Sequence, residues 1–298
     1  MIINGVTIDE TFAEAFSMKA TRIIITAHNS KWAMISAQAM TGMATSVIGC
    51  GCEAGIERTL TPFETPDGRP GVSVMIFAIG RKALAKQLEN RVGQCVLTSP
   101  TSAVYAGIDG GVALPLGKNL RYFGDGYQMS KQIGGKRYWR IPVMDGEFLA
   151  EESTGMKEAI GGGNFLILAE SQPQALAACD AAIEVMERVL NVILPFPGGV
   201  VGSGSKVGSK YKALGASTND AFCPTLKGKT NTELGPEIES VMEIVIDGLT
   251  EEDISQAMRM GIEAVCNLGT GNGVRRITAG NYGGKLGPYH FHLREIMS

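Results

Sequence analysis

Apolar residues fall along this chain in two kinds of segment: short continuous runs, and longer stretches with apolar positions three or four residues apart. Runs of about 4–8 apolar or β-branched residues predict buried strands, and the longer spacing predicts helices with one buried face. RIIITA (22–27) predicts a strand, a helical stretch follows around Lys31–Met40, and TSVIGC (45–50) and VSVMIFA (72–78) predict two more strands. Residues 81–93 predict a helix with Leu84, Leu88 and Val92 on one face, and CVLTS (95–99) closes that half as a strand. The order then repeats. NFLILAE (164–170) predicts a strand, and helix 173–190 carries Leu176, Cys179, Ile183, Met186 and Leu190 as a buried stripe. NVILPF (191–196) and VMEIVIDG (241–248) predict strands. Helix 250–267 buries Ile254, Met258, Ile262 and Val265 and places Glu251, Glu252 and Asp253 in its first turn, where the helix dipole favours acids. VRRITAG (274–280) ends the second half as a strand.

Each half therefore reads as β-α-β, a connection, then β-α-β, the order of a split βαβ, ferredoxin-like sandwich. The fold class expected is α+β, a duplication of two ferredoxin-like lobes with β-rich inserts. Sheets of this kind carry helices on one face and leave the other free. Residues 103–160, rich in glycine and aromatics, read as one insert, and residues 208–238 as its counterpart. The boundary falls between Asp145 and Gly163, giving an N-terminal lobe of 1–148 and a C-terminal lobe of 149–298. A doubly wound sheet fits less well, because the strand–helix units are short and interrupted.

Composition narrows the function classes. With 298 residues, 44% of them hydrophobic, the chain can bury a substantial core. A net charge of −3 argues against a general nucleic-acid binder, and no run of 18 apolar residues exists to span a membrane. The first residues, MIINGVTIDETFAEAF, lack the basic and apolar regions of a signal peptide, so the expected location is cytoplasmic. Six scattered cysteines point to reduced, mostly buried thiols.

Several segments could carry chemistry. PFPGGVVGSGSKVGSKYK (195–212) sets Lys206 and Lys210 on a glycine-loaded backbone, which suits anions; a flexible surface loop would have the same composition. Glu243 interrupts the apolar run of MEIVID, where an acid is costly unless it is hydrogen-bonded or protonated. Burial would raise its pKa into the range of general acid–base work; an edge-strand carboxylate facing water is the alternative. Glu170, Ser171 and Gln172 lie between a strand end and a helix start, a position suited to polar substrate contacts, although Ser171 as N-cap and Pro173 in the first turn explain the same residues. ASTND (216–220) and AGNYGGKLG (279–287) could present backbone and amide donors, among them Asn219 and Asn281, or could be plain turns. ETPDGRPG (64–71) reads as a rigid structural turn. Other motifs fail. Cys50-x-Cys52 has no second pair, His290-x-His292 has no third ligand, and no P-loop or dinucleotide fingerprint is present. No metal site and no bound cofactor are expected.

Taken together, the segments NGVTIDETFAEAF (4–16), ETPDGRPG (64–71), GQCVLTSPT (93–101), FGDGY (123–127), GGNFLILAESQP (162–173), PFPGGVV (195–201), SGSKVGSKY (203–211), ASTND (216–220), EIVIDGL (243–249) and AGNYGGKLG (279–287) resemble the formylmethanofuran:tetrahydromethanopterin formyltransferase family from end to end. The resemblance implies two ferredoxin-like lobes, a homotetramer built as a dimer of dimers, and no metal or prosthetic group. It implies formyl transfer between methanofuran, or an analogue, and N5 of tetrahydromethanopterin, through a tetrahedral intermediate in a ternary complex, with both carriers as substrates. The family's catalytic glutamate lies in its Glu-Ile-Val-Ile strand, which carries over to Glu243. Lys206 and Lys210 become expected contacts for carrier anions, and Glu170, Ser171, Gln172 and Asn281 candidates for orienting the formyl group or pterin ring. CGCEAGIE (50–57) departs from the archaeal pattern, and ELGPEIESVMEIVIDGLT (233–250) and GPYHFHLREI (287–296) resemble the form in methylotrophic bacteria, one component of a formyltransferase/hydrolase complex in formaldehyde oxidation. A non-catalytic scaffold for hydrolase subunits and a simple carrier-binding module are the competing readings.

Overall fold

Gly71–Ala78 is buried at every position, as an inner strand must be. It pairs antiparallel with Lys19–Thr26 of the long strand Phe12–Thr26 on one side and with Glu53–Leu60 on the other. The long strand's far edge takes Ala103–Ala106. Helices Ser30–Thr41 and Arg81–Arg91 set Ala33, Ala37, Met40, Leu84 and Leu88 against Ile23, Ile25, Val74 and Ile76 of this sheet. The first helix is capped by Asn29, whose side chain accepts the Trp32 N–H. In the computed structural model, which describes residues 1–298, these elements belong to the compact unit Met18–Ala159.

The second unit combines Ile160–Ser298 with Met1–Ser17. Its sheet repeats the strand order. Ser240–Gly248 lies between the strand Ser153–Ala169 and the short strand Val192–Ile193, and Val274–Thr278 pairs with the other edge of Ser153–Ala169. Helices Gln172–Met186 and Glu251–Leu268 cover one face, burying Ala178, Cys179, Ala182, Ile254, Met258, Ile262 and Val265 on Phe165, Ile167, Ile244 and Ile246. Thr250 caps the second helix by accepting the Asp253 N–H. The opening residues join this unit because Val6–Ile8 pairs with Val274–Thr278 and Phe12–Ala15 with Tyr289–His292. By contacts the chain divides at two places, 17/18 and 159/160, since the N-terminal strands find their partners at the far end of the sequence.

Two expected strands are helical. TSVIGC holds the four-residue helix Val47–Cys50, started by Ser46, whose hydroxyl accepts the Ile48 N–H, and ended by Gly51 at φ 76°. The strand that pairs with Gly71–Ala78 follows it. CVLTS continues the preceding helix through a widened turn, Val92–Val96, closed by Leu97 N–H to Val92 O at 2.9 Å; this buries Val92 and Val96. In helix 172–186 the buried stripe is the small-residue row Ala175, Ala178, Cys179 and Ala182, which leaves Leu176 exposed. Leu190 lies past the helix end and is also exposed. Strand 191–196 shrinks to Val192–Ile193. All six cysteines are unpaired, with Cys52, Cys179 and Cys266 buried. No helix is long and apolar enough to cross a membrane.

Backbones approach each other closely at Gly155. Its N–H meets Ile108 O at 2.9 Å, and a Cβ there would stand 2.9 Å from that oxygen and closer still to Gly110 O. Neither oxygen belongs to a side chain that could swing away. Gly155→Ala is expected to cost about 1–3 kcal/mol, read as a lower urea midpoint. An unchanged midpoint would mean that the 108–110 backbone yields freely.

Candidate active site

Strand alternation decides which side chains leave the core. Along Ser240–Gly248, Ile244 and Ile246 point under the helices, so Glu243 projects from the opposite face. Leu166 stands directly beside Glu243 on the neighbouring strand, and Thr278 beside Leu166 on the next. Over this face lies a cavity of about 650 Å³ whose lining includes Glu243, Asn164, Leu166, Arg276 and Thr278. Loops 201–206, 219–224, 9–11 and 280–282 complete its walls. Part of the 208–238 insert packs on the same face, where Leu234 and Ile238 cluster with Leu166 and Leu168.

The Glu243 backbone is paired on both sides. Beyond the 153–169 strand, Val201 N–H reaches Glu243 O at 2.8 Å and Glu243 N–H reaches Val201 O at 3.1 Å. The carboxyl group is different. Glu243 is half-buried, and burial with no compensating hydrogen bond pushes the carboxyl up from 4.5 to about 7. Such a group exchanges a proton near neutral pH, which suits general acid–base work.

Most of the charged groups around it are paired. Lys206 meets Asp220 at 2.5 Å, holding the Asp220 carboxyl below its usual range. Arg276 bonds Asp9 at 2.7–2.9 Å and donates to Glu233 O. Asn164 ties the cavity floor to the loop after the last sheet strand: its Nδ2 donates to Gly162 O and Gly280 O, and its Oδ1 accepts the Gly280 N–H. Asn281 donates to Thr11 Oγ1 and Phe12 O and accepts the Gly283 N–H.

Of the residues singled out from sequence, Glu243, Lys206, Asn219 and Asn281 meet at this cavity. Lys210 is exposed outside its lining, although its charge still lowers the Asp220 pKa. Glu170, Ser171 and Gln172 also lie outside the lining, because they follow the end of the 153–169 strand, while Leu166 marks the level of Glu243. Glu170 pairs with Arg275 at 2.6 Å. Ser171 occupies the N-cap position and donates to Gln174 Oε1, and Gln172 is the exposed first residue of the helix. His290 and His292 pack their rings around Phe12. Sequence reasoning passed over Asn164, Arg276, Asp9 and Tyr282, all on the cavity wall. Asn164, a polar residue at the head of the apolar run FLILA, carried a readable signal; Asp9 and Arg276 gain meaning only once paired.

Two family models cover nearly the whole chain. The model described as formylmethanofuran-tetrahydromethanopterin formyltransferase matches residues 1–143, and the one for the proximal lobe of that enzyme matches residues 146–296. The formylmethanofuran–tetrahydromethanopterin formyltransferase of Methylococcus capsulatus is 78% identical over 298 residues, covering 100% of both chains. A component of the formyltransferase/hydrolase complex of Methylorubrum extorquens is 50% identical, covering 99% of this chain and 97% of that one. Among solved structures, the formyltransferase from Methanosarcina barkeri superposes with a TM-score of 0.94 at 49% identity, covering 99% of this chain and 100% of that one. The formyltransferase/hydrolase complex from Methylorubrum extorquens, solved with methylofuran, gives a TM-score of 0.98 at 49% identity, covering 100% and 99%. With matches of this extent placed along the whole sequence, the chain belongs to the formylmethanofuran–tetrahydromethanopterin formyltransferase family.

Proposed function

We propose that this chain transfers a formyl group between a methanofuran-type carrier and N5 of tetrahydromethanopterin, with Glu243 as the acid–base group. The observation that carries the assignment of Glu243 is its carboxyl group, unpartnered at the floor of a polar cavity and pushed by burial to a pKa of about 7. In the transfer the acceptor amine attacks the formamide carbon, and the carbonyl oxygen takes up negative charge. Collapse of the tetrahedral intermediate breaks the donor C–N bond. The attacking nitrogen must lose a proton and the leaving nitrogen must gain one, so a single carboxyl group of raised pKa can accept the first and return the second. The atoms balance with the two carriers as the only other reactants.

Lys206 is the cavity's contact for anionic parts of the carriers, supported by its place on the wall, and Lys210 a second cation on the same loop. Asn281 contributes by shaping the wall. Glu170, Ser171 and Gln172 keep a substrate role only for parts of a carrier that extend beyond the cavity. The recurring β-α-β-β-α-β order, with the first strand of each unit between the third and the fourth, supports a duplication of ferredoxin-like lobes. A homotetramer, a dimer of dimers, is the assembly we propose, and hydrolase subunits are the partners suggested by the Methylorubrum relative. There the net flow would run from formyl-tetrahydromethanopterin to the methanofuran-type carrier. Catalysis is favoured over a scaffold role because a scaffold gains nothing from keeping an unpaired buried carboxyl group, which costs stability.

Purified wild-type protein given formyl-tetrahydromethanopterin and methanofuran should show transfer by the pterin absorbance change. Glu243→Gln should lower kcat by about 10²–10⁴-fold; undiminished turnover would remove Glu243 from the mechanism. The same residue predicts a pH dependence of stability. Between pH 4.5 and about 7 the folded protein keeps a proton that the unfolded chain has lost, so Glu243 lowers stability as pH rises through that window. Glu243→Gln should therefore be more stable than wild type at pH 8, by roughly 1–3 kcal/mol, with the gain fading toward pH 4. Urea titrations at both pH values check this, and a constant difference would show that the carboxyl group is not held protonated.

A further inference from the structure

Glu14 lies in the apolar run FAEAF between buried Ala13 and Ala15 and is itself only 1% exposed. Its carboxylate meets four backbone N–H groups of one loop. Oε2 accepts from Tyr282 at 2.7 Å and Gly284 at 2.9 Å, and Oε1 from Leu286 at 2.5 Å and Gly287 at 2.7 Å. Burial alone would raise its pKa; the four bonds outweigh burial and bring it down to about 2, so the group stays charged. Gly283 and Gly284, at φ 77° and 68°, bend the loop into this wrap. The loop begins at the cavity. Gly280, Asn281 and Tyr282 line it, the Tyr282 ring leans on Phe16 with centroids 6.1 Å apart, and the Glu243 charge reaches the Tyr282 hydroxyl.

We infer that Glu14 is a positioning residue for the Glu243 cavity: it gathers the 282–287 loop and so fixes the Tyr282 ring as a wall for the flat heterocycle of one carrier. The inference rests on the reading of this cavity as the transfer site. A carboxylate is suited to the task because it only accepts hydrogen bonds, on two oxygens, and here every bond it takes comes from the loop. A glutamine would turn N–H groups toward two of the four donors. The loop would then loosen and Tyr282 would lose its fixed place, while the sheet strand that carries Glu14 keeps its backbone pairing with Tyr289–His292.

The test is a kinetic comparison of wild type, Glu14→Gln, Tyr282→Ala, the Glu14→Gln/Tyr282→Ala double variant and Gly284→Ala, with kcat and both carrier KM values measured for each and Glu243→Gln as control. A loss of folded protein lowers apparent kcat and leaves KM alone, whereas a displaced wall raises the KM of the carrier that packs on it. Glu14→Gln should raise one carrier's KM by about tenfold, and the carrier affected identifies the heterocycle as pterin or furan. Tyr282→Ala should raise the same KM, and the double variant should add less than about threefold to either. Should Glu14→Gln not fold, Gly284→Ala decides: it keeps Glu14 but strains the loop, with a Cβ 3.3 Å from Phe12 and His290, and the same KM should rise. Unchanged KM values for both carriers, or effects that multiply in the double variant, would overturn the positioning role even where Glu243→Gln is inactive and the functional reading stands. Wild-type turnover in Glu243→Gln would instead overturn the reading of the cavity, and this inference with it.

Discussion

The site depends on the backbone pairing that holds Glu243 in place on both edges of its strand. Leu166 lies in register on one side and Val201 closes the other with two hydrogen bonds. A side chain with no hydrogen bond of its own could otherwise swing toward water. Here the strand fixes its root, and strand alternation aims it away from the helices. The Val201 bridge also fixes this part of the glycine-rich segment, so the loop that carries Lys206 leaves the sheet beside Glu243. One pair of backbone bonds thus sets both the acid and the cationic wall.

The free face of the sheet explains why the cavity exists at all. Helices 172–186 and 251–268 bury Phe165, Ile167, Ile244 and Ile246, which leaves Asn164, Leu166, Glu243 and Thr278 to be covered by something else. The cover is irregular chain. It supplies a small apolar patch around Leu234 and Ile238 and otherwise presents glycine, hydroxyl and paired charges. Irregular chain cannot fill a sheet face with the density of a helix, so space remains beside the patch, and the polar strand residues line it.

Much of this was legible in the sequence, with failures of definite kinds. Helix 251–268 was read down to Ile254, Met258, Ile262 and Val265, because one strongly apolar face meets one sheet. The strand read at 45–50 failed because Ser46 and Gly51 supply a cap and a stop that outweigh β-branched residues over so short a run. Helix 172–186 hides its contact row, since alanines carry little hydrophobic signal beside the conspicuous but exposed Leu176. Glu243 was found because an acid in an apolar strand stands out. Lys206 stood out from its loop, but nothing local announces that Asp220 will pair with it, or that Arg276 will meet Asp9 from the other end of the chain. Pairings of that range are set by the folded sheet and leave no periodic trace.

The same signal that marked Glu243 was present in FAEAF and led nowhere, and the comparison of the two acids shows what sequence lacks. Both are glutamates in apolar strands, and both lose water on folding. Glu14 faces a loop whose glycines turn four N–H groups toward it, and its pKa falls to about 2. Glu243 faces a cavity with no donor in reach of its carboxyl group, and its pKa rises to about 7. Desolvation acts in the same direction on each; the difference is the backbone donors, which are a property of the partner segment and not of the acid. Two environments that drive identical side chains apart divide the work between a fixed charge and a mobile proton. The fixed charge belongs where a loop must be held, and the mobile proton suits the exchange of one amine for another that we propose for this cavity.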